Sequence, residues 1–536
     1  MTLEPNGVAT ANGNGAVNGT AALKAAVSAP APVPAEGKAV DLSHHLSLVA
    51  RSRMPSPLKD ILTYMHLPGM ISLAGGLPHP SLFPFQSLST SVYHPSTVLD
   101  PANPVPPSDG ITIDIARKAQ PGNVSFLERD LQYSGAAGFK PLAEMCKALT
   151  AAVQPPAYAD WDVLINCGST DAWQKIVTLL CERGETVITD EQIYPSAQAA
   201  FIPEGVKCLP IPVDDQGMRP DALCAALDAW DTATQGPRPH VMYLVPVGQN
   251  PLGSTMQAER RKEIYAAACK YDLVIVEDDP YFMLQFEAWD PLAPSDESAT
   301  PPADFMSKVA RSFLIHDTEG RVIRLETFSK TLAPGLRIGF FVANSMFIER
   351  LLRGTEVQNQ QPSGFSQVIL GETLARWGTE GYLQWCARLC EQYRVRRDWM
   401  LDALSSELAL TPSAETMVAT INGRKVLSFT PPIGGMFIWC TVHFDEHPGY
   451  AAFVGDGPDR RDKEHEFETA FWKKLVDARV LVTPGWYFTP YEGQGVPSSN
   501  NEPGKGYFRL AYSFESKEDM EEGIRRLANV MKAEWA

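Results

Sequence analysis

Between about residues 120 and 345 the chain alternates short apolar runs with longer segments of helical periodicity. That alternation restricts the fold more than any other feature. The runs at 162–167, 186–189, 241–245 and 273–276 are built mainly from Val, Ile and Leu, without the polar alternation of a half-solvated strand. Strands of that composition suit a sheet covered on both faces. Helical patterns such as 258–271 lie between them. Strands alternating with helices predict an α/β large domain with a mostly parallel sheet between helices.

Beyond about residue 350 the texture changes. A helical stretch at 391–408 is followed by Gly434-Gly435-Met436-Phe437-Ile438-Trp439, a strand after a glycine pair. Further apolar runs at 480–485 and 507–512 read as strands, and Ser516 with Asp519 caps a final helix. These predict a smaller α+β C-terminal domain over 349–536, with 412–428 and 493–506 as loops. The large domain is expected over 120–348, with 287–310 as a surface insertion. Residues 46–119 read as an N-terminal arm: a helix ending near Leu67-Pro68-Gly69, a strand and glycine turn at 70–78, and an irregular Pro-rich connection at 95–107. Residues 1–45 contain no Phe, Tyr, Trp or Arg and cannot bury enough apolar area to offset ordering entropy, so a disordered tail is expected.

Composition narrows the function class. A net charge of −17 argues against nucleic acid and anionic membrane surfaces as partners, which select basic proteins. No apolar run approaches the ~18 residues of a bilayer span. The nine cysteines lack CxxC spacing, so neither a disulfide framework nor a zinc cluster is indicated, and no metal is expected. A reducing cytoplasm fits that usage.

The chemistry concentrates around Thr327-Phe328-Ser329-Lys330-Thr331, directly after an apolar run, with Arg337 seven residues on. A lysine at the end of a buried strand, beside hydroxyls and a guanidinium, suits covalent capture of a carbonyl cofactor that also carries a phosphate. Alone, such a stretch is far more often a solvated surface turn. Other pieces stand upstream, each after a strand: Gly168-Ser169-Thr170-Asp171, a helix start able to hold an anion; Tyr194 in Gln192-Ile193-Tyr194-Pro195; the turn Gln249-Asn250-Pro251; and Asp278-Asp279-Pro280-Tyr281. Arg509 lies inside an apolar strand, where a charge needs a partner. That partner is either a structural carboxylate or a bound one.

In this order and spacing the pieces resemble the class I and II pyridoxal-phosphate aminotransferases of fold type I. Within them the chain is most similar to the fungal and animal aromatic, kynurenine and aminoadipate branch, from about Arg51 to the C-terminus. The resemblance implies that Lys330 holds pyridoxal 5'-phosphate as a Schiff base. It implies that Asp278 faces the pyridine nitrogen, with Asp279 the competing choice, and that Tyr281 and Asn250 bond the phenolic oxygen. Ser169, Thr170, Thr327, Ser329 and Arg337 would hold the phosphate, and Tyr194 would stack on the ring. Tyr133 matches a residue that reaches a neighbouring subunit's phosphate, which implies a homodimer with shared sites. Gly76 falls where the arm touches substrate, and Arg509 matches the α-carboxylate clamp.

The expected activity is transfer of the amino group of Phe, Tyr or Trp to a 2-oxo acid, with 2-oxoglutarate accepted through movement of the arm and Lys59. Alternatives left open are an enzyme preferring 2-aminoadipate or kynurenine, and a pyridoxal-phosphate lyase on the same fold. A transcription regulator would need a basic module before the domain, which the tail lacks.

Overall fold

The structure, a computed structural model, describes residues 37–55, 64, 67–71, 73–74, 76–97, 106–292, 305–490 and 502–536. Order begins earlier than the tail's composition implies. Leu42, Leu46 and Ala50 are buried against the large domain. Ala39 donates to Asp160 at 2.7 Å and Val40 to the Glu319 carbonyl at 3.0 Å. The expected tail up to residue 36 lies outside the described residues, as does most of the arm helix.

In the arm, strand β1 (Ser87–Val92) pairs antiparallel with β2 (Ile111–Ala116). The strand expected at 70–78 is not among the described elements. The arm's ordered ribbon is β1 and β2 instead, held by Ile113 and Ile115, which pack on Leu127 and Val368.

The large domain carries seven strands, β3 (Trp161–Asn166), β4 (Thr186–Asp190), β5 (Lys207–Ile211), β8 (Val241–Leu244), β9 (Val274–Asp278), β10 (Val322–Thr327) and β11 (Gly339–Asn344). A two-residue ribbon of β6 (Val213–Asp214) and β7 (Gly217–Met218) follows β5. The sheet order is β3-β11-β10-β9-β8-β4-β5. The pairs β10–β9, β9–β8, β8–β4 and β4–β5 are parallel, while β11 runs antiparallel to both neighbours. Every residue of β4, β8, β9 and β11 is buried, which is why these strands show no polar alternation. Helix Ser169–Leu180 turns Ala172, Trp173, Ile176, Val177, Leu179 and Leu180 inward.

A helix spanning Gly364–Leu408, broken at Gly378 where φ is +67°, leads into the small domain. There β12 (Thr411–Ser413), β13 (Thr416–Ile421), β14 (Arg424–Phe429), β15 (Phe437–His443), β16 (Thr483–Pro484) and β17 (Lys505–Ala511) form one sheet in the order β12-β13-β14-β15-β17-β16. Residues 412–428, expected as loop, are thus strand. Asn422 (φ +52°) and Gly423 (φ +79°) supply the two left-handed residues of a tight hairpin, and Val426, Leu427 and Phe429 are buried. The stretch 493–501 of the other expected loop lies outside the described residues; β17 begins at Lys505.

The two domains meet backbone to backbone. Gly435 N–H donates to the Leu284 carbonyl at 2.8 Å, just after β9. Gly435 has φ +76°, and a Cβ there would stand 2.6 Å from Gly248 Cα. Gly248 begins the turn that carries Asn250, so no side chain fits between the domains at this point. Gly435→Ala is therefore expected to cost about 1–3 kcal/mol through overpacking, lowering both Tm and kcat/KM. An unchanged Tm by scanning calorimetry would contradict this reading of the contact.

Candidate active site

At the carboxyl ends of the parallel strands lies a cavity of about 300 Å³ lined by Ser169, Thr170, Tyr194, Asn250, Asp278, Tyr281, Thr327, Ser329, Lys330 and Arg337, among others. Residues dispersed over the sequence from 169 to 337 thus converge because each follows a strand of one sheet. This is the crevice where parallel α/β sheets present their ligand sites.

One end of the cavity is an anion cradle. The helix Ser169–Leu180 starts there, its first N–H groups unpaired within the helix. Arg337, itself in the left-handed region at φ +49°, donates through Nη1 to Ser329 Oγ at 3.3 Å and through Nη2 to the Cys167 carbonyl at 2.9 Å. Thr327 Oγ1 and Ser329 Oγ lie 2.8 Å apart. Gly168 makes this possible, since a Cβ there would stand 2.7 Å from Arg337 Nη2.

Lys330 sits half-buried at the middle of the cavity, with no carboxylate partner among the described residues. Burial, with Arg337 and Arg509 nearby, pulls its amine below the usual lysine range. A larger neutral fraction makes it a better nucleophile.

The two adjacent acids diverge. Asp278 faces the cavity and accepts the Tyr243 hydroxyl through Oδ2 at 2.7 Å. Its Oδ1 is buried without a hydrogen bond of good geometry among the described residues, although Ser169 lies close enough to ease its charge. Burial pushes this carboxyl up to about 6 against the pull of Tyr243. Asp279 points behind the sheet, where Arg324 Nη1 donates to its Oδ2 at 2.9 Å. Arg324 also pairs with Glu277 at 3.0 Å and Glu326 at 2.6 Å, and Arg261 pairs with Glu277 at 3.2 Å. Burial pushes Asp279 up to about 7 despite Arg324.

The remaining wall is aromatic. Tyr281 packs edge-on to Phe437, with ring centroids 5.8 Å apart. The Arg509 guanidinium lies 4.3 Å from the Phe437 ring and 5.0 Å from Phe488. It donates to Asn250 Oδ1 at 2.7 Å and Thr483 Oγ1 at 3.3 Å. Because Asn250 Oδ1 is occupied by Arg509, its Nδ2 donors remain for the cavity it lines. Among the described residues no carboxylate pairs with Arg509, and its Nε is buried without a partner.

Two expected site residues lie outside this cavity, and a third is not among the described residues. Tyr133 is 62% exposed and outside the cavity of its own chain. Gly76 is exposed with no atom within 4 Å of where a Cβ would be. Lys59 lies outside the described residues. Conversely, Tyr243, Phe437 and Phe488 escaped the sequence reading. Tyr243 carried a signal, as the one polar tip in a buried apolar strand, where a hydroxyl must find a partner.

The donor set fits pyridoxal 5'-phosphate: a lysine for the aldehyde, an orphaned buried carboxylate oxygen for the ring N–H, and a cationic cradle for the phosphate. Comparison with known proteins agrees. The family described as aminotransferase class I and II matches residues 135–527. An aromatic amino acid aminotransferase of Schizosaccharomyces pombe is 33% identical over 92% of this chain and 98% of its own length. An L-tyrosine:2-oxoglutarate aminotransferase of Serpula lacrymans is 32% identical over 86% of each chain. The crystal structure of the aminotransferase Aro8 from Candida albicans superposes with a TM-score of 0.82 at 33% identity, covering 93% of this chain and all of that one.

The divergent acids lead to a prediction. Asp278→Asn is expected to lower kcat by about 100-fold or more, as for loss of a group that controls protonation in the reaction. Asp279→Asn, whose side chain hydrogen-bonds Arg324 rather than facing the cavity, is expected to cost about tenfold at most. Steady-state kinetics giving the reverse order would transfer the role to Asp279.

Proposed function

The chain belongs to the class I and II aminotransferases, a pyridoxal-phosphate-dependent family, and on that premise we propose that it moves the amino group of an aromatic L-amino acid to 2-oxoglutarate. The observation that carries this reading is the Arg509 guanidinium, clamped between Phe437 and Phe488 and lacking any carboxylate of its own among the described residues. A bidentate fork so placed suits the α-carboxylate common to every donor and acceptor. Beyond it the cavity offers Tyr194, Trp173, Tyr281 and Phe437, and among the described residues its basic lining is Lys330 and Arg337. Among the described residues a distal carboxylate has no further cationic partner there, whereas an aromatic ring meets aromatic walls.

Bound pyridoxal phosphate supplies an aldehyde and an electron-withdrawing ring. Ser169, Thr170, Thr327, Ser329 and Arg337 would hold its phosphate, and Tyr194 would stack on the ring. Tyr243 fixes Asp278 Oδ2 and leaves Oδ1 to accept the ring N–H. Asn250 Nδ2 and the Tyr281 hydroxyl, both in the cavity lining, would donate to the phenolic oxygen. Lys330 Nζ, kept neutral more readily by its surroundings, takes the proton from the substrate α-carbon and returns it during transfer.

The reading includes a homodimer. Tyr133, Ile71 (85% exposed) and Leu73 (95% exposed) lie on the surface of the single chain, where a partner would cover them. A tyrosine in that place can serve the neighbouring site. All nine cysteines are free thiols, which suits a cytoplasmic setting. Among the described residues no helix is long and apolar enough to cross a membrane.

The test is a panel of donors with 2-oxoglutarate as acceptor. Phe, Tyr or Trp is expected to give the highest kcat/KM. Aspartate, alanine or 2-aminoadipate outpacing every aromatic donor would refute the assignment of the pocket.

A further inference from the structure

At the opposite edge of the large sheet, where the parallel strands begin, four entrance residues gather: Glu185 before β4, His240 before β8, Asp272 before β9 and Arg321 before β10. The N-terminal segment lays His44 and His45 over them. His240 Nε2 lies 3.3 Å from Glu185 Oε2. A carboxylate only accepts, so a neutral His240 carries its proton on Nε2 and presents a lone pair at Nδ1. His45 Nδ1 is 3.0 Å from His240 Nδ1 and, with His240 neutral, is the donor. A neutral His45 then has a bare lone pair at Nε2, and this faces Asp272 Oδ1 at 3.2 Å.

Two acceptors facing each other repel unless a cation lies between them, or a second proton on His240, facing Glu185, reverses the His45–His240 bond and leaves the His45 proton on Nε2. A second proton on His45 would place an imidazolium at a position 4% exposed, beside the guanidinium of Arg321, whose Nη1 is 2.7 Å from the same Oδ1. A divalent ion satisfies the arrangement differently. His44 Nε2 lies 2.7 Å from Asp272 Oδ2, and one ring nitrogen from each histidine and one carboxylate oxygen all fall within 4.8 Å of one another. Donors sharing one ion at about 2.1 Å stand roughly 3 Å apart. His44 and Asp272 are 57% and 50% exposed, leaving room for water to complete the coordination. The chain from His45 through His240 to Glu185 is the outer support that fixes the tautomer of a metal-bound imidazole. Asp272, Glu185 and Glu319 carry three negative charges against the one of Arg321, a deficit that a divalent ion balances.

We propose that His44 Nε2, His45 Nε2 and Asp272 bind one divalent transition-metal ion of the zinc class, which fastens the N-terminal segment to the sheet. Imidazole with a single carboxylate suits such borderline ions rather than Mg²⁺ or Ca²⁺. The site lies at the strand entrances and the active cavity at the strand exits, so its role is structural.

The test uses the full-length holoenzyme, dialysed against chelator and then titrated with Zn²⁺ by calorimetry and with Co²⁺ by visible absorption. One ion per chain is expected, with micromolar or tighter affinity and a rise in Tm. His44→Ala, at an exposed ring, and Asp272→Asn, which keeps a residue tolerant of the left-handed backbone there (φ +56°), are each expected to weaken binding at least about tenfold and abolish the Tm rise, with kcat unchanged. No saturable binding by the parent protein, or binding and Tm rise unaltered in both variants, would overturn the proposal and leave a hydrogen-bonded cluster alone.

Discussion

The stacking of β10, β9 and β8 in parallel, buried on both faces, is the constraint from which the active site follows. Helices on either side leave no exposed sheet surface on which polar groups could gather. Chemistry is confined to the strand ends, and the parallel direction puts the exits of β4, β8, β9 and β10 at one edge. Tyr194, Asn250, Asp278 and Lys330 meet there although more than a hundred residues separate the first from the last. The small domain closes the remaining side, because Gly435 and Gly248 permit contact without intervening side chains. That contact brings Arg509 on β17 within 2.7 Å of Asn250.

A buried ionic network stands behind the cavity. Arg324 on β10 gathers Glu277 and Asp279 from the β9 side and Glu326 from its own strand, all in the interior. Buried charges of this kind contribute less to stability than to geometry, since desolvation offsets most of their attraction. Here they bind the strand bearing Asp278 to the strand leading to Lys330. The same network separates two adjacent acids into different tasks. Arg324 claims Asp279, while Tyr243 holds Asp278 toward the cavity.

Much of this was legible in the sequence because the cavity residues sit within short, local patterns. Ser329-Lys330-Thr331, Asn250-Pro251 and Asp278-x-x-Tyr281 each combine chemical type with a strand end, and all of them line one cavity. Arg509 was legible by its misfit, a charge inside an apolar strand. The supports were harder to see. Phe437 and Phe488 were not singled out, because an aromatic that clamps a guanidinium has the same pattern as one that fills space. Tyr243 needed a question about where its hydroxyl goes. Residues 412–428 were misjudged as loop although Asn422-Gly423 is a strong hairpin signal, because the polar residues of β14 hid its alternation. Tyr133 and Gly76 lie outside the cavity of their own chain, and a single sequence carries no local sign of which surface a second copy would meet.

The central claim is that Lys330, among all the lysines of the chain, captures the carbonyl cofactor. Borohydride reduction of the pyridoxal-phosphate-loaded protein, followed by peptide mass spectrometry, tests it directly. The account predicts one pyridoxyl label per chain, on the peptide containing Lys330. A label on any other lysine, or none after reduction of the loaded protein, would contradict it.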